Sequence, residues 1–242
     1  MNKENHIDVL DSNYPLIIKL KETAPGTYNH SRAVASLLEA IAIAIDLPDE
    51  LLKIAGFYHD IGKTVSPKMF IENQQEEDEN PHDKLEPHVS LRYITAHVGD
   101  TAQILINDRN IPVEVIRWCI QHHGTSVIKS VFLKKQKSGE AKRDNYRYPC
   151  KKPECLEAAL IMICDILEAT SRALSQSGQL ISIDELVEKV IQDLEQDEQL
   201  DDVELTFGKL RIIKNVLKKE LSAQYHKRIN YKDTPELLRE KK

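Results

Sequence analysis

The stretch Phe57-Tyr-His-Asp-Ile-Gly-Lys-Thr64 does most to restrict what this chain can become. A run of helical period, Leu51, Leu52, Ile54, Ala55 and Tyr58, leads into it and stops on an imidazole and a carboxylate at consecutive positions. Gly62 is expected to supply the left-handed residue that ends the helix. An adjacent His and Asp suit metal chemistry, because the His holds one cation while the carboxylate bridges two. His30 upstream, and His97, His122, His123 and Asp165 downstream, each follow or interrupt a further apolar run of helical period. No alternation is long enough to build a sheet. The expected fold is therefore an all-α bundle with ligating groups near its helix ends.

The helices can be placed in order. Residues 1–27 read as a polar linker and a short amphipathic helix around Leu16–Leu20, closed by Pro25-Gly26. Asn29 or Ser31 is expected to cap a helix carrying Val34, Leu37, Leu38, Ile41 and Ile45, which puts His30 in its first turn. Pro48-Asp49-Glu50 opens the next, and the resulting hairpin brings His30 near His59. Pro87 starts a helix to His97, Asp100 is expected to cap a separate one from Thr101 to Asn107, and Ile111-Pro112 begins another ending at His122-His123-Gly124. That last helix is apolar nearly all round, as a buried helix is. Glu154–Leu174 is expected to be the longest and central helix. An acidic helix from Asp184 and a basic one over Leu205–Ile229 are expected to pair, with no chemistry in either. One domain over 28–230 and a polar tail over 231–242 follow.

Two segments read as loops. Residues 72–86 form an acidic loop, apolar-free over 72–80, which suggests a solvated insert. Residues 125–153 carry nine Lys and Arg between Lys129 and Lys152 against Glu140 and Asp144. This basic loop is either solvated or a surface that meets an anion.

The 242-residue chain has a net charge of −6, which disfavours a general binder of long nucleic acid. Its four cysteines form no Cys-x-x-Cys pair, so free thiols and a reducing compartment are expected, with Cys150 and Cys155 unpaired rather than a zinc half-site. No apolar stretch reaches 18 residues and the N-terminus lacks a signal-peptide core, a cytosolic character. Neither a Gly-rich phosphate loop nor a nucleophile elbow is present.

Asp165 lies in Ala158-Ala-Leu-Ile-Met-Ile-Cys-Asp-Ile-Leu-Glu-Ala169, where an uncompensated carboxylate would cost several kcal/mol. A buried ion pair to Arg32 or Arg172 is one way to compensate it. A metal held with five histidines at helix ends is the other, and the set as a whole favours it. His6, His82, His88 and His226 lie in polar or terminal segments and are read as surface residues. Carboxylates with imidazoles suit Fe, Mn, Zn or Co, and ligand chemistry alone does not choose. Lys63 either reaches a phosphate oxygen as a point charge or is simply solvated.

Seven motifs then carry a resemblance, in order from about Leu10 to Ile229. They are Ala24-Pro-Gly-Thr-Tyr-Asn-His-Ser31, His59-Asp-Ile-Gly-Lys63, Phe70-Ile-Glu-Asn-Gln74, Asn80-Pro-His-Asp-Lys84, Gln121-His-His-Gly-Thr-Ser126, Tyr146-Arg-Tyr-Pro149 and Glu157-Ala-Ala with Asp165 and Glu168-Ala-x-Ser-Arg172. Together they resemble the cytosolic HD domain of the seven-transmembrane HD receptors, the PgpH-type cyclic di-AMP phosphodiesterases of the HD phosphohydrolase superfamily. HD-GYP cyclic di-GMP enzymes are similar in ligand order but continue differently where this chain has Gly124-Thr125-Ser126. The resemblance implies two divalent ions, Fe or Mn foremost. His30, His59, Asp60 and Asp165 would hold one ion, with Asp60 bridging to a second on His97, His122 and His123. It implies that Asp60 and Lys63 serve catalysis and that a metal-activated water opens cyclic di-AMP to linear pApA. Lys63, Thr125, Ser126, Lys135 and Arg147 are the expected substrate contacts. Other cyclic or linear dinucleotides, or binding without turnover, are the alternatives. Membrane spans of the family are absent here, so the chain looks like a separate or excised cytosolic module.

Overall fold

The computed structural model describes residues 8–75, 78–137, 139–177 and 182–232, with side chains through 224. Residues 1–7 and the part of the expected tail from 233 onward lie outside these. Nine α-helices are present among the described residues: α1 (Pro15–Thr23), α2 (Pro25–Ile45), α3 (Asp49–Tyr58), α4 (Pro87–Asn107), α5 (Val113–Cys119), α6 (Lys129–Lys137), α7 (Leu156–Gln176), α8 (Ile183–Gln196) and α9 (Phe207–Lys232). The only extended pairing among them is an isolated antiparallel bridge between Val127 and Arg147. The all-α expectation holds.

The apolar stripe of α2 (Val34, Leu37, Leu38, Ile41) is fully buried and packs on α3, α7 and α9. Proline at its first position suits a helix start, since no amide hydrogen is lost there, and α2 begins at Pro25 rather than at Asn29 or Ser31. His30 consequently sits in the second turn, already inside the core. The hairpin of α2 and α3 brings the His30 and His59 rings to 5.3 Å between centroids. In α7, Ala158 through Cys164 are without exception buried, which makes it the central helix, although α9 is longer.

Several boundaries differ from expectation for identifiable reasons. Gly62 does not have a positive φ. It is small because its backbone lies against α4: its amide donates to the Thr101 hydroxyl at 2.9 Å, and a Cβ would sit 2.7 Å from that oxygen. The same Thr101 is buried in the middle of α4, which runs unbroken through Gly99-Asp100 rather than restarting there. Helix α5 stops at Cys119, so His122 and His123 lie in a turn beyond it, and its Val113 faces solvent. Gly124 closes that turn at φ +51°, the left-handed value expected of a terminator.

Neither loop is merely solvated. The Glu72 and Asn73 side chains dock on the start of α2, with Asn73 Oδ1 accepting from the Thr27 amide at 3.1 Å. Residues 125–153 contain α6 and a 3-10 turn (Arg143–Tyr146), because Ile128, Val131 and Tyr146 form a small core of their own against Leu91 and Ile94 of α4. Helices α8 and α9 pack together, with Glu188 meeting Lys214 at 2.6 Å and Lys218 at 2.8 Å.

Candidate metal centre

The histidines converge because α2 and α4 carry His30 and His97 on their inner faces while the ends of α3 and α5 lead into His59 and His122-His123. Along a helix the residue three back presents its carbonyl to the side chain, and three of these histidines use it. His59 Nδ1 lies 2.8 Å from Gly56 O, His97 Nδ1 2.5 Å from Ile94 O, and His122 Nδ1 2.5 Å from Cys119 O. His30 Nδ1 meets the buried carboxylate of Glu168 instead. A carbonyl only accepts, so Nδ1 must carry the hydrogen and the Nε2 lone pair is left pointing inward.

At the centre lies Asp60, fully buried, and its two oxygens face opposite ways. Oδ1 is 3.3 Å from His97 Nε2 and 3.6 Å from His122 Nε2, whereas Oδ2 is 3.3 Å from His59 Nε2 and 3.7 Å from His30 Nε2. Asp165 Oδ1 lies 3.0 Å from His30 Nε2, and its Oδ2 is 3.7 Å from His123 Nδ1. His123 Nε2 approaches His97 Nε2 at 3.1 Å. Two sets result, His30, His59, Asp60 and Asp165, and Asp60, His97, His122 and His123. In each, one ligand atom per residue lies within 4.8 Å of the others.

The chemistry of these atoms fits divalent cations. Both Asp60 oxygens and the Nε2 atoms of His30, His59 and His122 are buried with no well-formed hydrogen bond, only ionic contacts among themselves and to Asp165 and Lys63. Such atoms are rare in folded proteins, and here five share one space. Burial would raise the Asp60 carboxyl pKa, but Lys63 and the imidazoles outweigh it and hold the group well below the usual carboxylate range. Asp165 is depressed likewise, with burial overcome by His30 and His59. Burial and neighbouring imidazoles keep His122 and His123 below the ordinary histidine value, hence neutral and able to ligate. Burial also pulls His59 down, but Asp60 and Asp165 raise it to about 10, so a cation entering that set would displace a proton from its Nε2. Arg32 and Arg172 do not compensate Asp165: Arg172 pairs with Glu168 and Arg32 lies over the Tyr28 ring.

Lys63 is held by carboxylates, its Nζ 2.7 Å from Asp60 Oδ2 and 2.9 Å from Glu72 Oε1. A solvated lysine it is not. Beside the clusters opens a cavity of about 690 Å³ whose wall includes His122, His123, Asp165, Ser126, Tyr148, Lys129, Arg143 and Lys189. Of the expected substrate contacts only Ser126 lines it. Thr125 is bonded to Gln199, Lys135 lies outside the lining, and the Arg147 guanidinium forms two 3.0 Å contacts to Asp197. Helix α8, expected to have no part in chemistry, supplies one side of the cavity through Leu186, Lys189, Val190 and Asp193.

Four contributors escaped the sequence reading. Glu168 orients His30 and sits one helical turn after Asp165, so its spacing was a usable signal. Tyr148 stacks on His123 with centroids 4.1 Å apart, and Glu72 pairs with Lys63; both lie in motifs noted above. Gln199, in a polar turn, had no signal at all. His82 and His88 stay outside both ligand sets, while His6 and the His226 side chain fall outside the described residues.

Residues 27–170 match the family model described as HD domain. Two proteins named cyclic-di-AMP phosphodiesterase PgpH, from Listeria monocytogenes and Bacillus subtilis, are each 38% identical over 94% and 93% of this chain. The chain spans 31% of the length of either relative. The crystal structure of the L. monocytogenes PgpH HD domain in complex with cyclic-di-AMP superposes with a TM-score of 0.80 at 37% identity, covering 88% of this chain and 99% of that one. No described helix is long and apolar enough to cross a membrane.

Proposed function

We propose that this chain, which belongs to the HD-domain family, is the hydrolytic module of a metal-dependent phosphodiesterase that opens cyclic di-AMP to linear pApA. The observation that carries the reading is the set of five buried atoms around Asp60 that lack a well-formed hydrogen bond, arranged as two candidate ligand sets beside a cavity of about 690 Å³. Relatives that share 38% of its residues bear the name of that activity.

In this reading His30, His59, Asp60 and Asp165 would hold one ion, and Asp60, His97, His122 and His123 the other. Two divalent ions, iron or manganese foremost, would lower the pKa of a bound water and neutralise charge on the phosphoryl oxygens. The chain's own groups do the positioning. Carbonyls fix His59, His97 and His122, and Glu168 fixes His30, in the Nδ1–H form, and Glu72 with Asp60 holds Lys63 at the edge of the cluster. From there the Lys63 ammonium meets a phosphate oxygen that approaches the centre. The substrate's second phosphate lies toward Lys129, Arg143 and Lys189, which it would draw from their pairings with Asp193 and Asp197, and its bases against Tyr148 and the apolar face of α8. Ser126 is the remaining polar contact, whereas Lys135 and Arg147 act on the substrate through the field of the basic segment rather than by touching it. In the whole protein the module would work in the cytosol, beside membrane spans supplied by other segments.

The test is incubation of the purified protein with cyclic di-AMP and cyclic di-GMP, each with Mn²⁺ or Fe²⁺, and identification of the products. Metal-dependent release of pApA is expected. Cleavage of the guanine substrate alone would move the assignment to another dinucleotide, and tight binding with no product would make the domain a sensor.

A further inference from the structure

The ligand pair His122-His123 is gripped on both sides by buried glutamines. Upstream, Gln121 exchanges hydrogen bonds with Glu154 at the approach to α7: its Nε2 donates to the carboxylate at 2.9 Å and its Oε1 accepts the Glu154 amide at 3.0 Å. Downstream, Gln199 arrives from the turn between α8 and α9 and is 1% exposed. Its Oε1 accepts the Thr125 amide at 2.9 Å, and its Nε2 donates to the Thr125 hydroxyl at 2.9 Å and to Asp197 O at 2.9 Å. Arg147 completes the grip by donating to Thr125 O at 2.8 Å while its other contacts hold Asp197. Both backbone groups of Thr125 are thus fixed from outside its own turn. Gly124 leaves no slack, since a Cβ there would lie 2.5 Å from Gln199 Oε1 and 2.8 Å from Met162 Cε.

Residue 199 lies beyond the 27–170 segment that defines the family. We propose that Gln199 is a positioning residue for the ion held by Asp60, His97, His122 and His123, and that it makes occupancy of that ion depend on the α8–α9 turn being seated. The other ion, on His30, His59 and Asp165, has no such tie, since those side chains come from α2, α3 and α7. The inference rests on the two-ion reading of the site.

The experiment strips the full chain with a chelator, reloads it with Mn²⁺ and counts ions per chain, alongside circular dichroism and a melting curve. Wild type is expected to take up about two ions. Gln199→Ala should keep its helical signal yet retain about one, with the Mn²⁺ concentration that half-fills the weaker site rising about 10- to 100-fold, the range seen when a group supporting a ligand is lost. Turnover should recover as Mn²⁺ is raised. Two ions bound as tightly as in wild type, with or without a lower melting temperature, would make Gln199 a purely structural residue and overturn the proposal. If the alanine variant does not fold, Gln199→Glu keeps the acceptor for the Thr125 amide but loses the donor. It should show the same selective loss in smaller measure, and unchanged loading there would be equally fatal. A wild-type chain that takes up no ion would instead remove the metal reading itself.

Discussion

Two buried polar assemblies stand next to each other in this molecule, and they are built on opposite principles. Around Asp60, five candidate ligand atoms are shut away from water with no well-formed hydrogen bond. Around Gln199, the amide is equally buried, and both its oxygen and its nitrogen are bonded. The second arrangement is what a fold does with polar groups it must bury: match each donor to an acceptor and gain rigidity. The first is costly as a fold element, since like-charged and unmatched groups repel in a poorly screened space. Lys63 offsets part of that cost, and a divalent cation would offset the rest. Burial alone therefore does not mark a functional site. A cluster of such unsatisfied atoms in one space does.

The most direct way to break this contrast is Asp60→Ala. Removing the carboxylate that faces both ligand sets should strip metal to well below one ion per chain and reduce turnover to background. Wild-type metal content with normal turnover would remove the shared-carboxylate assignment. Asp165→Asn keeps the shape and deletes one charge. A ligand role predicts a loss of metal affinity of at least about 100-fold, because an amide oxygen cannot replace an anionic donor. A purely structural ion pair predicts a lower melting temperature with metal still bound, so metal analysis beside a melting curve separates the two.

Glu168→Gln sharpens the comparison, since Glu168 touches His30 and not the cluster centre. Metal affinity should weaken by about 10- to 100-fold while ions can still be loaded at higher concentration. No change in affinity would mean that His30 is oriented by packing alone. On the satisfied side, Arg147→Met should lower stability by about 2 kcal/mol in a denaturation curve, the scale of charged hydrogen bonds lost. The pH dependence gives a second reading. Burial tends to raise the Asp197 pKa, but Arg147 outweighs it and holds the carboxyl below 3.8. A depressed carboxyl stabilises the fold fully above its unfolded value and loses that contribution as pH falls through the folded one. Wild type should therefore lose stability below about pH 3.8, and Arg147→Met should show a shallower acid limb. The smallest effect belongs to the exposed α8–α9 pairing, where Glu188→Gln should cost about 0.5 kcal/mol or less and still less in high salt.

Much of the site was legible beforehand, for a physical reason. His30, His59, His97 and Asp165 sit at fixed places in strongly periodic apolar helices, and period alone says which side of a helix is inside. A histidine on the inner side of four such helices can only meet other inner sides. The all-α class, the α2–α3 hairpin and the burial of Asp165 follow from the same logic. Gly62 shows where it stops: a glycine after His-Asp was correctly important, but the cause is the closeness of α4, thirty-nine residues away at Thr101, and not a left-handed turn.

What the chain alone determined is the inventory of candidate ligands, their order, and the helices that bury them, because each is set by neighbours within a turn or two. What only the tertiary structure decided is how those groups are completed. Glu168 reaches His30 across 138 positions, Gln199 reaches Thr125 across 74, and Glu72 reaches Thr27 across 45. Glu168 has the helical spacing from Asp165 as a signal, but Gln199 and Glu72 do not differ in local pattern from ordinary surface residues. Helix α6 is the same lesson in the backbone: a lysine-rich stretch folds because Ile128, Val131 and Tyr146 find Leu91 and Ile94 of a distant helix. Local propensity is read along the chain, whereas satisfaction of a buried charge is settled by whichever segments the packing of helices happens to bring within hydrogen-bond reach.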